Sequence, residues 1–345
     1  MKMSSLSLGG LSVFNIQHGY VEAIVRGFRS SFLKDSDYHH LTQCESLEDV
    51  RLNLAETDYG SYIANDVSIT PGVLQKRALA KLVSEFQYIQ AQASEPLTTF
   101  LQYIQVEYMI ENTMLLLRGT LSGRNVNEIL DQCHPLGLFD ENTMKNIVSF
   151  EASPRGYAEL YESVLVDTPV GKYFEKYLEE SRTMFGSASE MKNILDEIDI
   201  EVLKNTLMKH YLLDFHTYCS KLDGESSEMM CELLSSRSDR DTINLTLNSF
   251  NTPLNDVLVR SRLYPTIGHL YPAGTELISK SMDEQKLLDS LKSYNEYYHI
   301  LEKMNSGDEF NVDDEFYKME GTYSFHCLCV VYLCGVQVFF FCFPI

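Results

Sequence analysis

The stretch Val50-Arg51-Leu52-Asn53-Leu54-Ala55-Glu56-Thr57-Asp58-Tyr59-Gly60-Ser61-Tyr62 decides the fold, because its pattern returns between Tyr161 and Tyr173. Val50, Leu54, Thr57, Gly60 and Tyr62 match Tyr161, Leu165, Thr168, Gly171 and Tyr173 at a constant offset of 111 residues. Upstream of each stands a Leu-x-Gln-Cys sequence, Leu41 to Cys44 and Leu130 to Cys133. Further up lies a triplet ending in Arg-Gly, at Val25-Arg26-Gly27 and Leu117-Arg118-Gly119. A fainter third copy runs from Leu287 through Leu291 to Tyr298, shortened by a residue or two. Repeated helical units bury their apolar faces against one another around a shared core. The repeat therefore predicts one body of about three lobes and a scaffold role.

A chain of 345 residues buries roughly three quarters of its unfolded surface. Lys and Arg number 28 against 49 Asp and Glu, a net charge of −21. That argues against a nucleic-acid or anionic-lipid surface, which needs a basic footprint, and favours basic protein partners. Spread along the chain, the acid reads mostly as solvated helix faces. Eight cysteines do not make a disulfide framework here, since Cys44, Cys133, Cys219 and Cys231 sit singly within helical patterns where small buried thiols are common. Met1 to Phe14 lacks the apolar run and cleavage site of a signal peptide. The glycosylation sequon Asn244-Leu245-Thr246 is then coincidental.

Helical periodicity dominates, and alternating strands are nearly absent. Pro71 and Pro96 bracket one helix, with Leu79, Leu82, Val83, Phe86 and Ile89 at helical spacing. The next begins near Pro96, carries Phe100, Ile104, Tyr108, Met114, Leu115 and Leu117, and is expected to stop at Arg118-Gly119. Its charges are chiefly Glu107 and Glu111, so it should be buried on most sides, a central strut. A third helix is expected from about Glu201 to Leu222, with Leu203, Leu207, Tyr211, Phe215, Tyr218 and Leu222 on one face. Loops are expected at Cys133 to Gly137, Asp167 to Pro169, Ser181 to Ser189, Leu263 to Gly274 and Asn305 to Asp314.

The tail differs. Phe325 to Ile345 carries no Asp, Glu, Lys or Arg and holds four of the eight cysteines. That length and apolarity suffice for a transmembrane helix. Cys342-Phe343-Pro344-Ile345 stands where a prenylation box would, but Pro344 and a terminal Ile345 fit poorly.

No motif assembles an active site. There is no Walker loop, dinucleotide glycine fingerprint or His-Glu-x-x-His. Cys133 and His134 are adjacent, but adjacent side chains point in different directions and read as a loop after a helix. His326, Cys327 and Cys329 lack a second pair at zinc-finger spacing. His39-His40 and His299 have no ligand-like companions. Asp313-Asp314-Glu315 lacks the alternating oxygens and central glycine of a calcium loop. The expectation is no catalytic residue, no cofactor and no metal.

A set of motifs in order along the chain carries a resemblance. It runs through Gly19-Tyr20-x-Glu22, Val25-Arg26-Gly27, Gln43-Cys44-Glu45, Leu47-Glu48-Asp49 and Thr57-Asp58-Tyr59-Gly60. It continues with Glu95-Pro96-Leu97, Tyr108 to Asn112, Cys133 to Gly137 and Val166 to Pro169. Asn205-Thr206-Leu207, Asp239-Arg240, Asn248-Ser249-Phe250 and Leu270-Tyr271-Pro272-x-Gly274 complete it. With these residues the chain closely resembles the subunit d family of V-type proton ATPases, which has an equivalent in archaeal-type rotary ATPases.

The resemblance covers about residues 11–320 and leaves 321–345 as a divergent apolar tail. It implies an all-α, funnel-shaped body of three similar lobes, with no transmembrane span, on the cytoplasmic face of vacuolar or endosomal membranes. It implies a non-catalytic role in passing torque from the central stalk, subunits D and F, to the proteolipid ring (the c-ring), with subunit a as a further partner. No contact residue carries over directly. By position, Thr57, Asp58, Tyr59, Asp167 and Thr168 are candidate interface residues, although turn chemistry also explains them. Family members continue past Glu320 into polar helices that complete the third lobe. A truncated gene model or alternative transcript is therefore the favoured expectation, with an incomplete third lobe. The competing functions are a tail-anchored helical adaptor and a thiol hydrolase at Cys133.

Overall fold

A computed structural model describes residues 8–63, 69–148, 160, 162, 165–185, 197–222, 225–303 and 312–319. It is all helical, and no strand occurs among the described residues. The elements in order are α1 (Leu8–Ser30), α2 (Asp35–Thr42), α3 (Leu47–Ala55), α4 (Gly60–Ile63) and α5 (Pro71–Gln92). Next come α6 (Leu97–Leu121), α7 (Val126–Gln132), α8 (Glu141–Val148), α9 (Gly171–Phe185), α10 (Glu197–Cys219) and α11 (Glu225–Ser249). The last are α12 (Val257–Leu263), α13 (Ala273–Ser279), α14 (Glu284–Ser290), α15 (Asn295–Glu302) and α16 (312–319). The helices divide into two units at Gln102/Tyr103, inside α6.

In the first unit the starts are written locally. Thr70 accepts from the Val73 amide and sets Pro71 in the first turn of α5. Ser46 and Asp49 cap α3 reciprocally, Asp49 N–H to Ser46 Oγ at 3.2 Å and Ser46 N–H to Asp49 Oδ2 at 3.1 Å. α5 packs against α1 and α4, burying Val83, Phe86 and Ile89 with Val21, Val25 and Ile63. Leu79 and Leu82 are half-buried. Each large apolar side chain buried in this way contributes about 1.5–3 kcal/mol.

In the second unit α6 is the strut its composition predicts: from Tyr103 through Leu117 no residue is exposed. The helix does not stop at Arg118-Gly119. It continues to Leu121, and the chain turns at Gly123, whose φ of +65° is left-handed. Gly119 is instead a packing glycine, pressed against the Ile129 side chain of α7. α9 and α11 flank α10, whose Leu203, Leu207, Tyr211 and Phe215 are buried. That helix runs from Glu197 to Cys219, about one turn N-terminal of the sequence expectation. The C-terminal core gathers Ile243, Leu263, Leu270, Leu287, Leu291 and Phe316.

Other loop expectations change too. α9 extends through Phe185, so 181–185 is helical, and the rest of that loop lies outside the described residues. Residues 312–314 open α16. Cys44 and Cys133 stand just past helix ends, because α2 and α7 close at Thr42 and Gln132. Asn244-Leu245-Thr246 lies inside α11, with Thr246 buried, so the sequon is closed to modification in the folded chain. The acid is not all solvated: the Asp239 side chain is only 1% exposed. The tail, 321–345, lies outside the described residues. Among the described residues no helix is long and apolar enough to cross a membrane.

The short helix Pro135–Gly137 touches α6 so closely that a Cβ on Gly137 would stand 2.3 Å from the Tyr108 carbonyl carbon and oxygen. Gly137→Ala should therefore cost about 2–4 kcal/mol. Gly27→Ala, where a Cβ meets nothing within 4 Å, should add about 0.5–1 kcal/mol of helix propensity. Urea unfolding of the two variants checks both signs.

Candidate functional site

The two copies of the repeat fold into the same turn. In the first, Thr57 N–H and Oγ1 both donate to Leu54 O, at 3.0 and 2.6 Å, and Gly60 N–H donates to Thr57 O at 2.9 Å. In the second, Thr168 N–H and Oγ1 donate to Leu165 O at 2.9 and 2.8 Å, and Gly171 N–H donates to Thr168 O at 3.0 Å. A Cβ on Gly60 would meet Ala55 O at 2.4 Å, and one on Gly171 would meet Leu165 O at 2.2 Å. Both positions therefore require glycine. The third copy keeps the start, Tyr294 N–H to Leu291 O at 2.8 Å, and then runs into α15 without a glycine.

The five candidate residues separate by this geometry. Thr57 and Thr168 are half-buried and spend their hydroxyls inside the turn. Tyr59 is half-buried with Lys81 Nζ 4.9 Å above its ring. Asp58 and Asp167 are exposed at the tips. Each turn thus offers one free carboxylate on a fixed backbone.

Larger electrostatic structure lies inside the second unit, and the sequence alone does not point to it. Glu107 of α6 takes both ends of the Arg237 guanidinium of α11, with Nη1 to Oε2 at 2.7 Å. Tyr211 of α10 donates to the same carboxylate at 3.3 Å. Arg237 Nε faces Asp241 at 3.9 Å, and Arg240 Nε faces Asp313 of α16 at 3.6 Å. Asn244 donates to Asp313 at 2.8 Å. Four helices meet through one polar cluster. Burial works to raise the Glu107 carboxyl, but the Arg237 charge and hydrogen bonds leave it below its usual range. Glu111, one turn on, is raised by burial and by the Glu107 charge.

Two further polar anchors serve the same unit. Asp239 accepts from the His269 and Leu270 amides at 2.8 and 3.1 Å and from Tyr297 Oη at 2.7 Å. Arg260, fully buried, donates to Ser279 O, Ser281 O and Ser249 Oγ at 2.7, 2.6 and 3.2 Å, closing the C-terminal end of α13. Many residues that carry the family resemblance are docking points of this kind. The Asn112 amide pairs with the His134 backbone at 2.9 and 2.7 Å, and the Tyr108 ring stacks on the His134 imidazole with centroids 3.9 Å apart.

That same packing disposes of a nucleophile at Cys133. Burial pushes its thiol up to about 11 and the His134 imidazole down to about 4. Cys133 Sγ lies 3.5 Å from Ile129 O, while His134 Nδ1 accepts from the Leu136 amide. Neither group is activated toward the other. Among the described residues no three His, Cys, Asp or Glu side chains are grouped to hold a metal.

Residues 21–326 match the family described as ATP synthase (C/AC39) subunit. V-type proton ATPase subunit d of Dictyostelium discoideum is 39% identical over 313 residues, 90% of this chain and 83% of the relative. V-type proton ATPase subunit d1 of Arabidopsis thaliana is 40% identical over 309 residues, covering 89% and 82%. V-type proton ATPase subunit d of Saccharomyces cerevisiae is 37% identical over 310 residues, covering 89% and 83%.

Two outcomes follow from the polar contacts. Arg237→Met strands the Glu107 carboxylate in the interior and should cost about 3–5 kcal/mol, partly recovered by adding Glu107→Gln; chemical denaturation of the natural chain and the two variants reads this. Burial works to raise the Glu180 carboxyl, but hydrogen bonds from His210 and Lys209, at 2.7 and 3.0 Å, bring it down to about 2. A depressed carboxyl stabilises above its unfolded value, near 4.3, and loses that contribution as pH falls toward the folded one. The Tm gap between the natural chain and Glu180→Gln should therefore be full above about pH 5 and close progressively below it.

Proposed function

The chain belongs to the ATP synthase (C/AC39) subunit family, that of V-type proton ATPase subunit d, and from this premise we propose that it couples the pump's central stalk to its proteolipid ring. In this reading it is a non-catalytic subunit, peripheral on the cytoplasmic face of the membrane. It receives stalk subunits D and F, sits on the ring and meets subunit a. ATP hydrolysis and proton carriage belong to other subunits. The carrying observation is similarity over more than four fifths of the length of each relative compared.

Stiffness is what torque transmission asks of such a subunit, and the second unit is built for it. A close-packed interior has low compressibility and passes strain on. The Glu107–Arg237 pair and its neighbours cross-link α6, α10, α11 and α16 by hydrogen bonds to carboxylates and an ion pair. A helix with no exposed residue from Tyr103 through Leu117 cannot bend without breaking such contacts. The duplicated turn supports a body built from repeated helical units. Within it, Asp58 and Asp167 are the carboxylates placed to meet basic stalk residues, with Thr57, Tyr59 and Thr168 holding the turns. Charge complementarity of this kind sets register and partner choice more than affinity.

Affinity purification of the tagged full chain from detergent-solubilised membranes, with mass spectrometry of its companions, tests the proposal. Recovery of proteolipid-ring and central-stalk subunits is the expected result; recovery of neither overturns it. Asp58→Ala should lower stalk-subunit recovery and leave ring recovery intact. Unchanged recovery of both would remove Asp58 from the interface.

A further inference from the structure

Glu107 and Glu111 stand one turn apart on α6, within the stretch that has no exposed residue from Tyr103 through Leu117. Side chains four residues apart share a helix face, so the two carboxyls look the same way. Arg237 and Tyr211 satisfy the first. Glu111 is half-buried, and among the described residues no donor hydrogen-bonds its carboxyl and no cation pairs with it. A carboxyl drawn out of water without a replacement donor is held more easily neutral than charged.

What faces Glu111 sharpens that preference. On α6 itself lie the Glu107 carboxylate and the Tyr108 phenol. α11 brings Arg237 and Asp241, and α10 brings Lys204. Arg237 is already committed, with both ends on Glu107 and Nε toward Asp241 at 3.9 Å. Lys204 is half-buried and attracts Glu111 without closing an ion pair. Behind these groups Arg240 faces Asp241 and Asp313 of α16 at 4.0 and 3.6 Å, and stands 4.7 Å over the Tyr317 ring. The segment 133–137 adds only His134, stacked on Tyr108 and held neutral by burial. The Lys172–Asp214 and Arg118–Glu201 pairs lie about two turns away along α6, near Tyr103 and at Arg118.

Glu107, Glu111, Asp241 and Asp313 thus meet Lys204, Arg237 and Arg240, and the closest contacts leave Glu111 with the like charges. A proton restores the balance. It cancels the repulsion from Glu107 and Asp241 and gives Glu111 an O–H to donate. Among the described residues these acids are not grouped to hold a metal, so the proton is the cation that fits. Burial and the Glu107 charge act in the same direction and raise the Glu111 carboxyl, and burial raises Asp241 across the interface. Half-burial keeps Glu111 within reach of solvent, so the proton needs no channel.

We propose that Glu111 is a proton-uptake site in the α6–α11 interface, and that the second unit tightens there as the solution turns acid. Its sign is opposite to that of Glu180, whose carboxyl is lowered. A raised carboxyl costs stability in full above its folded value, and the cost falls away as pH drops toward the unfolded value, about 4.3. The site belongs to the folded chain itself and holds whether or not the chain works as a coupling subunit.

Thermal unfolding of the purified full chain and of Glu111→Gln, from about pH 8 to about pH 5, tests this, with hydrogen exchange at the α6 and α11 amides as a second readout. Glutamine has the shape of the protonated side chain. It should raise Tm by about 2–4 °C at about pH 8, and the gap should close toward about pH 5. Protection of the two helices, corrected for intrinsic exchange, should rise on acidification in the natural chain. In Glu111→Gln it should start high and stay level. Asp241→Asn removes a like charge and should move both changes to lower pH, whereas Glu296→Gln, an exposed carboxyl of α15, should move neither. A Glu111→Gln chain with a lower Tm at about pH 8, or a gap of one size at every pH, overturns the proposal.

Discussion

Arg237 and Glu107 face each other in the interior of the second unit, and the surrounding helices pack around a charge that each partner offsets for the other. α6 is enclosed through Leu117, so any charge on it must be matched by a neighbour or removed. A carboxylate stripped of water costs several kcal/mol unless opposite charge and donors replace the solvent. Two ends of one guanidinium and a tyrosine hydroxyl do so. The same arginine lies beside Asp241, and the next one along α11, Arg240, reaches toward Asp313 on α16. Compensation at one point therefore fixes the register of four helices. Apolar packing alone would tolerate sliding; paired charge does not.

The motifs that identify the family have a physical meaning that their residue types conceal. Cys, His, Asp and Arg suggest chemistry, yet here they hold elements together. His134 is a flat, neutral plate under Tyr108, with its backbone clamped by Asn112. Asp239 gathers two amides and a phenol. Arg260 closes carbonyls at the end of a short helix. Polar residues are concentrated where elements meet, because such contacts have fixed geometry and break all at once.

The turns show how far the sequence reaches. Thr-x-x-Gly at Thr57 and Thr168 is legible because a threonine bonding back three residues and a glycine against a carbonyl are local requirements. The same local view cannot separate Thr57 from Asp58. Only burial shows one hydroxyl spent within the turn and one carboxylate left at the tip. Gly119 misleads because a glycine near a helix end reads as a cap, whereas here it lets α7 approach. Glu107 stands out as a rare charge on an apolar helix, but its partner Arg237, 130 residues away, carries no sequence mark.

By itself the sequence determined the all-helical class, the internal repeat, the enclosed character of α6, the family and the lack of catalytic motifs. Each depends on short-range periodicity, local turn chemistry or residue types in order along the chain. The tertiary structure decided which acids are compensated inside and which remain on the surface. It also decided that Leu165 and Tyr173 are buried in one copy of the repeat while Leu54 and Tyr62 are only half-buried in the other. Those outcomes depend on what packs against a residue from far along the chain, and helical periodicity records only that a face is apolar, never what covers it.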